Sequence, residues 1–494
     1  MTKMQAHAGA FRLRLRPLAA CLAACAIAGS AGAAAQPDAA HEMSAGSRMA
    51  GSQGLLASLA SHGHGSVTLP ADPASHAPGS ILAVTNCNDS GSGSLRDTIN
   101  SAVSGDTVDL TQLTCSRITL TSGAIVFGQA QLAIDGPGEG RLMIDGGLSG
   151  AVLYDLGAGT LSVQDLSIGY GFKYRSDSDV MGSCVHAQGN VILRNVSVST
   201  CNTVSATNHA ALGGAVWAGG QAYLSHSTIT MSEAHASGYG YASGGGVYAL
   251  GGLVSFYSTI SDNVALSESA STPTFGGGAF VRGGALIFGT TVSGNQAARM
   301  GGLALADNNG MSGTLVNSTV SGNVANSIGG VFSRAALNLY NSTIAFNTSH
   351  QWSDGAGHYL GAGVYITTSG EMDSTIIANN VNTDPAAPTP TADLTGAPST
   401  GFNGGNNNVM FCGVACPTDT SHEDPGLHPL RDNGGPTLTH VPTPGQWDTF
   451  GGTNPLNLLY DQRGPGFPRQ SAGDWPEIGA LQINSDIIFV NGFN

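Results

Sequence analysis

The sequence predicts an all-β chain wound as a single-stranded right-handed parallel β-helix, a solenoid closed at its start by a short capping helix. Three observations predict it. Glycine is overabundant, at 72 of 494 residues. A strand-like Ser-Thr-Ile-Ser run returns at a coil-sized interval, and a Gly-rich lead-in to a second apolar run keeps step with it. Collagen would need glycine at every third position, which is absent, and disorder fits poorly with 41% hydrophobic residues spread along the chain.

Residues 1–35 read as a signal peptide. Lys3, Arg12, Arg14 and Arg16 precede an apolar run from Leu18 to Ala28, and small residues at Ala33 and Ala35 predict a mature chain beginning at Gln36. A rival reading takes Leu22-Ala23-Ala24-Cys25 as a lipobox, with lipid on Cys25. No later segment has the roughly 18 consecutive apolar residues of a membrane-spanning helix, so none is expected in the mature chain. Cleavage removes those four basic residues and no acid, making the formal net charge of −15 more negative by four. Such a surface repels nucleic acid at long range, and no nucleic-acid partner is expected. Residues 36–80, rich in Ala, Ser, Gly and His, read as a flexible linker in which His62 and His64 are solvated.

Residues 81–380 carry the solenoid. Ser94-Leu95-Arg96-Asp97 predicts a helix start with Ser94 as N-cap, and Leu95, Ile99, Ala102 and Val103 supply an apolar stripe to cover the first coil. Anchors at 168, 198, 229, 260, 292, 320, 344 and 376 are separated by 30, 31, 31, 32, 28, 24 and 32 residues, as in coils of similar perimeter. The Gly-rich element leads into Trp217, Tyr248, Phe280, Phe332 and Tyr365, with Ala304 interrupting and His186 one coil earlier. Inward, these rings would fill the core; outward, they could stack on sugars; core packing is the plainer reading. Asn263, Asn295, Asn323, Asn347 and Asn379 each follow an anchor by three residues and predict a ladder of stacked turn amides. Strand alternation then turns Thr228, Thr259, Thr291, Thr319, Thr343 and Thr375 outward as a row of hydroxyls.

The cysteines left after export are Cys87, Cys115, Cys184, Cys201, Cys412 and Cys416. An even set in an oxidising compartment predicts disulfides between neighbours: Cys184 with Cys201, Cys412 with Cys416, and Cys87 with Cys115. CxxC spacing is absent, and metal ligation is the weaker reading.

The Gly-rich lead-in followed by Ser-Thr-Ile-Ser-(Gly/Asp)-Asn resembles the β-helix proteins of the pectin-lyase-like superfamily and the repeats of polymorphic outer-membrane proteins. The segment from Asn86 to Ile99 looks like the start of bacterial surface proteins of this type. Asp432-Asn433-Gly434-Gly435-Pro436-Thr437, Asp461-Gln462-Arg463-Gly464 and Glu477-Ile478-Gly479-Ala480 resemble the C-terminal region named choice-of-anchor Q. The resemblance places that region at 421–482, after a loop-rich insertion at 381–420 and before a tail at 483–494.

The resemblance raises polysaccharide cleavage, but a fold does not carry a function. Glycoside hydrolysis needs two or more carboxylates, and elimination from a uronate needs a base and charge neutralisation. Between residues 181 and 380 the carboxylates are Glu233, Asp262, Glu268, Asp307, Asp354, Glu371 and Asp373, of which only Glu371 and Asp373 are close in sequence. Lys173 is the only mature lysine, and Arg282, Arg299 and Arg334 show no shared register. Asp177 and Asp179 read as a solvated loop rather than a Ca²⁺ site. No catalytic residue, metal ligand or cofactor is assigned. The expected function is adhesion, or binding of a polysaccharide or another cell surface, through the threonine row. The alternatives are a lyase or hydrolase with a site assembled across coils, and a passive scaffold.

Overall fold

The computed structural model describes residues 79–269, 272–306, 310–351, 360–387, 392–443, 451–469 and 475–483. The signal peptide, nearly all of the linker, Cys25 and the tail beyond residue 483 lie outside them. The capping helix runs over Leu95–Ser101, with Ser94 accepting from the Asp97 N–H. Leu95 and Ile99 are fully buried, while Val103, expected in the stripe, is 66% exposed.

From there the chain is a parallel β-solenoid. One coil shows the plan: Gln221–Ser225, Thr228–Thr230, Glu233–Ala236, Ala242–Ser243 and Val247–Ala249. The first two pieces form two limbs of one 21-stranded sheet, and the other three join eight-, three- and ten-stranded sheets. Between the limbs one residue takes a left-handed conformation, as at His226 (φ 49°) and Asn317 (φ 45°). The alternation of buried and outward residues resumes on the far side. Every strand pairs in parallel with its equivalent in the next coil, so like residues form columns about 4.8 Å apart. The anchor column extends back to Ile118 and Ile144 and forward to Val409.

Two polar ladders run inside the turns. Asn263, Asn295, Asn323 and Asn347 each donate from Nδ2 to the next Oδ1 at 2.8–3.0 Å, and each backbone N–H donates to that same oxygen. At the inter-limb turn, Ser227, Ser258, Thr290 and Ser318 hydroxyls do the equivalent for the preceding backbone. These ladders satisfy buried N–H groups that the tight turns leave without strand partners. The Gly-rich element keeps step with the asparagines because the two pack together. A Cβ on Gly246 would lie 2.9 Å from the Asn263 amide, and one on Gly330 3.1 Å from Asn347.

The last repeat departs from the sequence register by one residue. Ile344 pairs with Ile377, not Ile376, and the amide ladder continues to Asn380, not Asn379. Thr375 therefore belongs to the buried hydroxyl ladder, and Ile376 takes its place beside Thr343. The extra residue was hidden because Ile376 and Ile377 are both apolar and fit either phase.

The cysteines pair as Cys87–Cys115, Cys184–Cys201 and Cys412–Cys416, with Cα atoms 6.5, 5.7 and 6.4 Å apart. No helix among the described residues is long and apolar enough to cross a membrane.

Candidate binding surfaces

The predicted threonine row splits into a covered and an open part. Thr291, Thr319 and Thr343 are buried beneath the chain's own C-terminal segment. Gln462 sits astride the column: its Nε2 donates to Thr291 (2.9 Å) and Thr437 (2.9 Å), while its Oε1 accepts from Thr319 (2.6 Å). Thr291 donates to the Leu438 carbonyl at 2.6 Å, and the Ala480 N–H donates to Thr343 at 3.0 Å. In the neighbouring outward column His440 Nε2 lies 2.8 Å from the Ser321 hydroxyl.

The segment is held from within by a bidentate Arg463–Asp461 pair and by fully buried Arg469, which donates to Asn317 Oδ1 and to the Gly479 carbonyl. Gln462, Arg463, Gly479 and Ala480, noticed in the sequence as motif residues, thus belong to an intramolecular docking surface.

Thr228 and Thr259 lie beyond this cover and are half-buried on the outer face. Beside them run Ser199, Thr230 and Ser261, with the Thr230 and Ser261 hydroxyl oxygens 3.0 Å apart. Across the inter-limb turn, Asp109, Asp135, Gln164 and Arg194 fall in one outward column, with Asp165 hydrogen-bonded to Asn195 at 2.6 Å. Burial first, then the charges of Asp109 and Asp165, push the Asp135 carboxyl up to about 6. This grouping was invisible in sequence because each member comes from a different coil. Further along, Glu371 accepts from the Tyr340 hydroxyl at 2.6 Å, and burial raises Asp373.

The aromatic row packs as core, as the plainer reading expects, but in apolar clusters outside the main core rather than within it. On the ten-stranded sheet, Val216, Ala218, Val247 and Ala249 point into the main core, so Trp217 and Tyr248 between them point away. They are covered by Ala210 and Leu212, on the outer side of an arm built from the eight- and three-stranded sheets. Inside the arm Ala211, Ala234, Ala236, Ala242 and Ala265 pack together, small enough for the sheets to close. Phe280, Phe332 and Tyr365 continue the row against Met300, Ile328 and Leu360.

The rings largely stack on one another. Tyr154, His186 and Trp217 lie 4.0 and 4.5 Å apart within 9° of parallel, and Tyr248–Phe280 are 5.1 Å apart. Ring faces used this way are closed to a sugar. At the start of the arm the Lys173 ammonium sits 3.9 Å from the Tyr154 ring centre and donates to the Met181 carbonyl at 3.0 Å. Burial, then Arg175, lowers Lys173 to about 8; burial, then Lys173, lowers His186 to about 3.

Arg282 and Arg334, read in sequence as out of register, share a column. Their backbone N–H groups donate to Ala249 and Leu305, equivalent positions on the sheet edge, and Ala306 occupies the coil between them. Arg299 lies on a different ladder, beside the bridge from Phe275 to Met300. A cavity of about 570 Å³ near the Cys412–Cys416 loop is lined by Ser369, residues 396–403 and residues 413–415, with no ionisable side chain among them. Among the described residues, no cluster of His, Cys, Asp and Glu has the arrangement of a metal site, Asp177 and Asp179 included.

No protein-family model matches the chain, and no curated protein gives a significant match. Among solved structures, the crystal structure of pectate lyase Pel9A is similar with a TM-score of 0.36 and 12% identity, over 83% of this chain and 98% of that one.

Proposed function

We propose that this chain is an exported protein, secreted or held at the cell surface, that binds a carbohydrate chain or another repetitive surface along its outer face. The observation that carries this reading is the open stretch of hydroxyl columns at Ser199, Thr228, Thr230, Thr259 and Ser261. It continues, at the same spacing, the row that the C-terminal segment already grips through hydrogen bonds. Hydroxyls repeating about every 4.8 Å suit a long partner held by many weak contacts. The disulfides fit an oxidising compartment.

The test is retention of the purified mature protein by a panel of neutral polysaccharides, with and without Ca²⁺, scoring cleavage as well. Thr228→Lys with Thr259→Lys is expected to keep the fold and weaken retention. Undiminished retention by the folded variant would exclude this face. A second reading, hydrolysis, is favoured by the Asp109, Asp135, Asp165 and Arg194 grouping, since a carboxyl near 6 suits a general acid. Cleavage that disappears in Asp135→Asn would establish it. Export itself predicts a mature terminus at Gln36, and mass spectrometry finding Met1 or lipid on Cys25 would reject that version.

A further inference from the structure

We infer that the open hydroxyl columns around Thr228 and Thr259 take an extended polypeptide segment of another molecule, which presents backbone carbonyls and a side-chain carboxamide as the chain's own C-terminal segment does two coils along. The inference rests on the reading that this face binds a partner, and it names the partner's chemistry. The covered and open parts of the face are built alike. A shift of two coils carries Thr291 onto Thr228, Thr319 onto Thr259 and Ser321 onto Ser261. In the covered part Thr291 donates to the Leu438 carbonyl, the Gln462 carboxamide bridges Thr291 and Thr319, and His440 meets Ser321. Leu438 and His440 are two residues apart and reach neighbouring coils, so the segment crosses the strands and runs down the columns.

Among the described residues the Thr228 and Thr259 hydroxyls have no hydrogen-bond partner, and both side chains are half-buried at the surface. A hydroxyl offers one donor and two acceptor lone pairs, so it can meet a carbonyl, an N–H or either end of a carboxamide, as the covered threonines do. The flanks of the open part add to this. Met231, 59% exposed, follows Thr230 at the turn position where Phe346 follows Ala345, and Phe346 packs against the His440 ring at 5.0 Å. Met231 thus offers an adaptable apolar contact along the same edge. At the opposite edge His226 takes the turn position of Gly289, whose carbonyl accepts from Thr437, so an incoming segment needs a smaller residue there. A pyranose favours an open ring face to stack on, and the molecule's aromatic row lies on another sheet with its rings largely stacked on one another.

The test is made on the full mature chain by fluorescence anisotropy with two labelled synthetic peptides, residues 457–466 and residues 434–443, the second carrying Thr437→Gly to clear His226. Wild type is expected to bind at least one of them saturably. Thr228→Val with Thr259→Val keeps the β-branched shape and removes both hydroxyls, and should weaken that binding by at least about tenfold. Thr348→Val, on the eight-stranded sheet, should change it less than about twofold. Undiminished binding by the folded double variant would put the peptide elsewhere, or in place of the chain's own segment, and overturns the inference. Saturable binding of neither peptide, or equal binding of a scrambled 457–466 sequence, overturns it as well. Neutral polysaccharide retained on this face with both peptides unbound overturns it while leaving the hydroxyl-face reading standing. Peptide binding lost in the double variant, with no polysaccharide retained, upholds it and removes carbohydrate as the partner.

Discussion

Replacing Asn323 by Ala removes one rung from the middle of the amide ladder, and its cost can be worked from the bonds lost. Asn323 donates to the Val292 carbonyl at 3.0 Å and to Asn347 Oδ1 at 2.9 Å, and accepts from the Asn295 N–H at 3.0 Å and its Nδ2 at 2.9 Å. Asn347 Oδ1 still accepts from the Asn323 N–H, and Asn295 Nδ2 still donates to the Ile260 carbonyl, so two of the groups remain partly satisfied. The buried Asn295 N–H does not. A net hydrogen bond is worth about 1 kcal/mol and an orphaned buried donor costs about 1–3 kcal/mol, so the expected loss is about 3–5 kcal/mol. Urea unfolding followed by circular dichroism measures it through the shift in midpoint at a fixed slope. Because coils couple mainly to their neighbours, hydrogen exchange should show the loss concentrated around residues 290–350. Thr230→Ala on the outer face is the control, expected within about 0.5 kcal/mol. A folded Asn323→Ala protein destabilised by less than about 1 kcal/mol would refute the view that this ladder holds the turns.

Two further perturbations address the C-terminal half. Gln462→Ala deletes the side chain that grips Thr291, Thr319 and Thr437, and should make the segment from 427 to 482 the first site of limited proteolysis; an unchanged cleavage rate would remove its docking role. Asp393 ends the amide ladder, accepting from Asn380 and from the Phe411 N–H, and burial raises its carboxyl to about 7. The folded state then holds a proton that the unfolded chain releases near 4, so this group's contribution to stability falls as pH rises from about 4 to 7. The melting-temperature advantage of wild type over Asp393→Asn should shrink across that window, and an advantage that grew would contradict the assignment.

The fold was legible because a solenoid repeats its own reasons. Anchor, amide and glycine recur together since each packs on the next, and a period carried by several residue types survives an occasional substitution such as Ala304. Legibility failed at Ile376 and Ile377, where two adjacent apolar residues made the phase ambiguous, and at the aromatic row, where hydrophobicity could not tell the main core from a second apolar layer beneath the arm. Strand alternation supplied the missing signal: Trp217 stands between Val216 and Ala218, and both small residues are in the main core.

The surfaces were harder for a different reason. Outward orientation follows from local alternation, but accessibility depends on what the rest of the chain lays over a face. Thr319 and Gln462 are 143 residues apart, and no local pattern marks them as partners. Separation along the chain likewise hides the columns that hold Asp135 with Arg194 and Arg282 with Arg334, each pair two coils apart, since coils of unequal length move equivalent residues out of any fixed period. Once strand pairing sets the register, these columns can be read directly. The C-terminal segment sorts the outer face of the long sheet into a part that holds the molecule together, through Thr291, Thr319 and Thr343, and a part around Thr228 and Thr259 where the same hydroxyl chemistry stays uncovered by it.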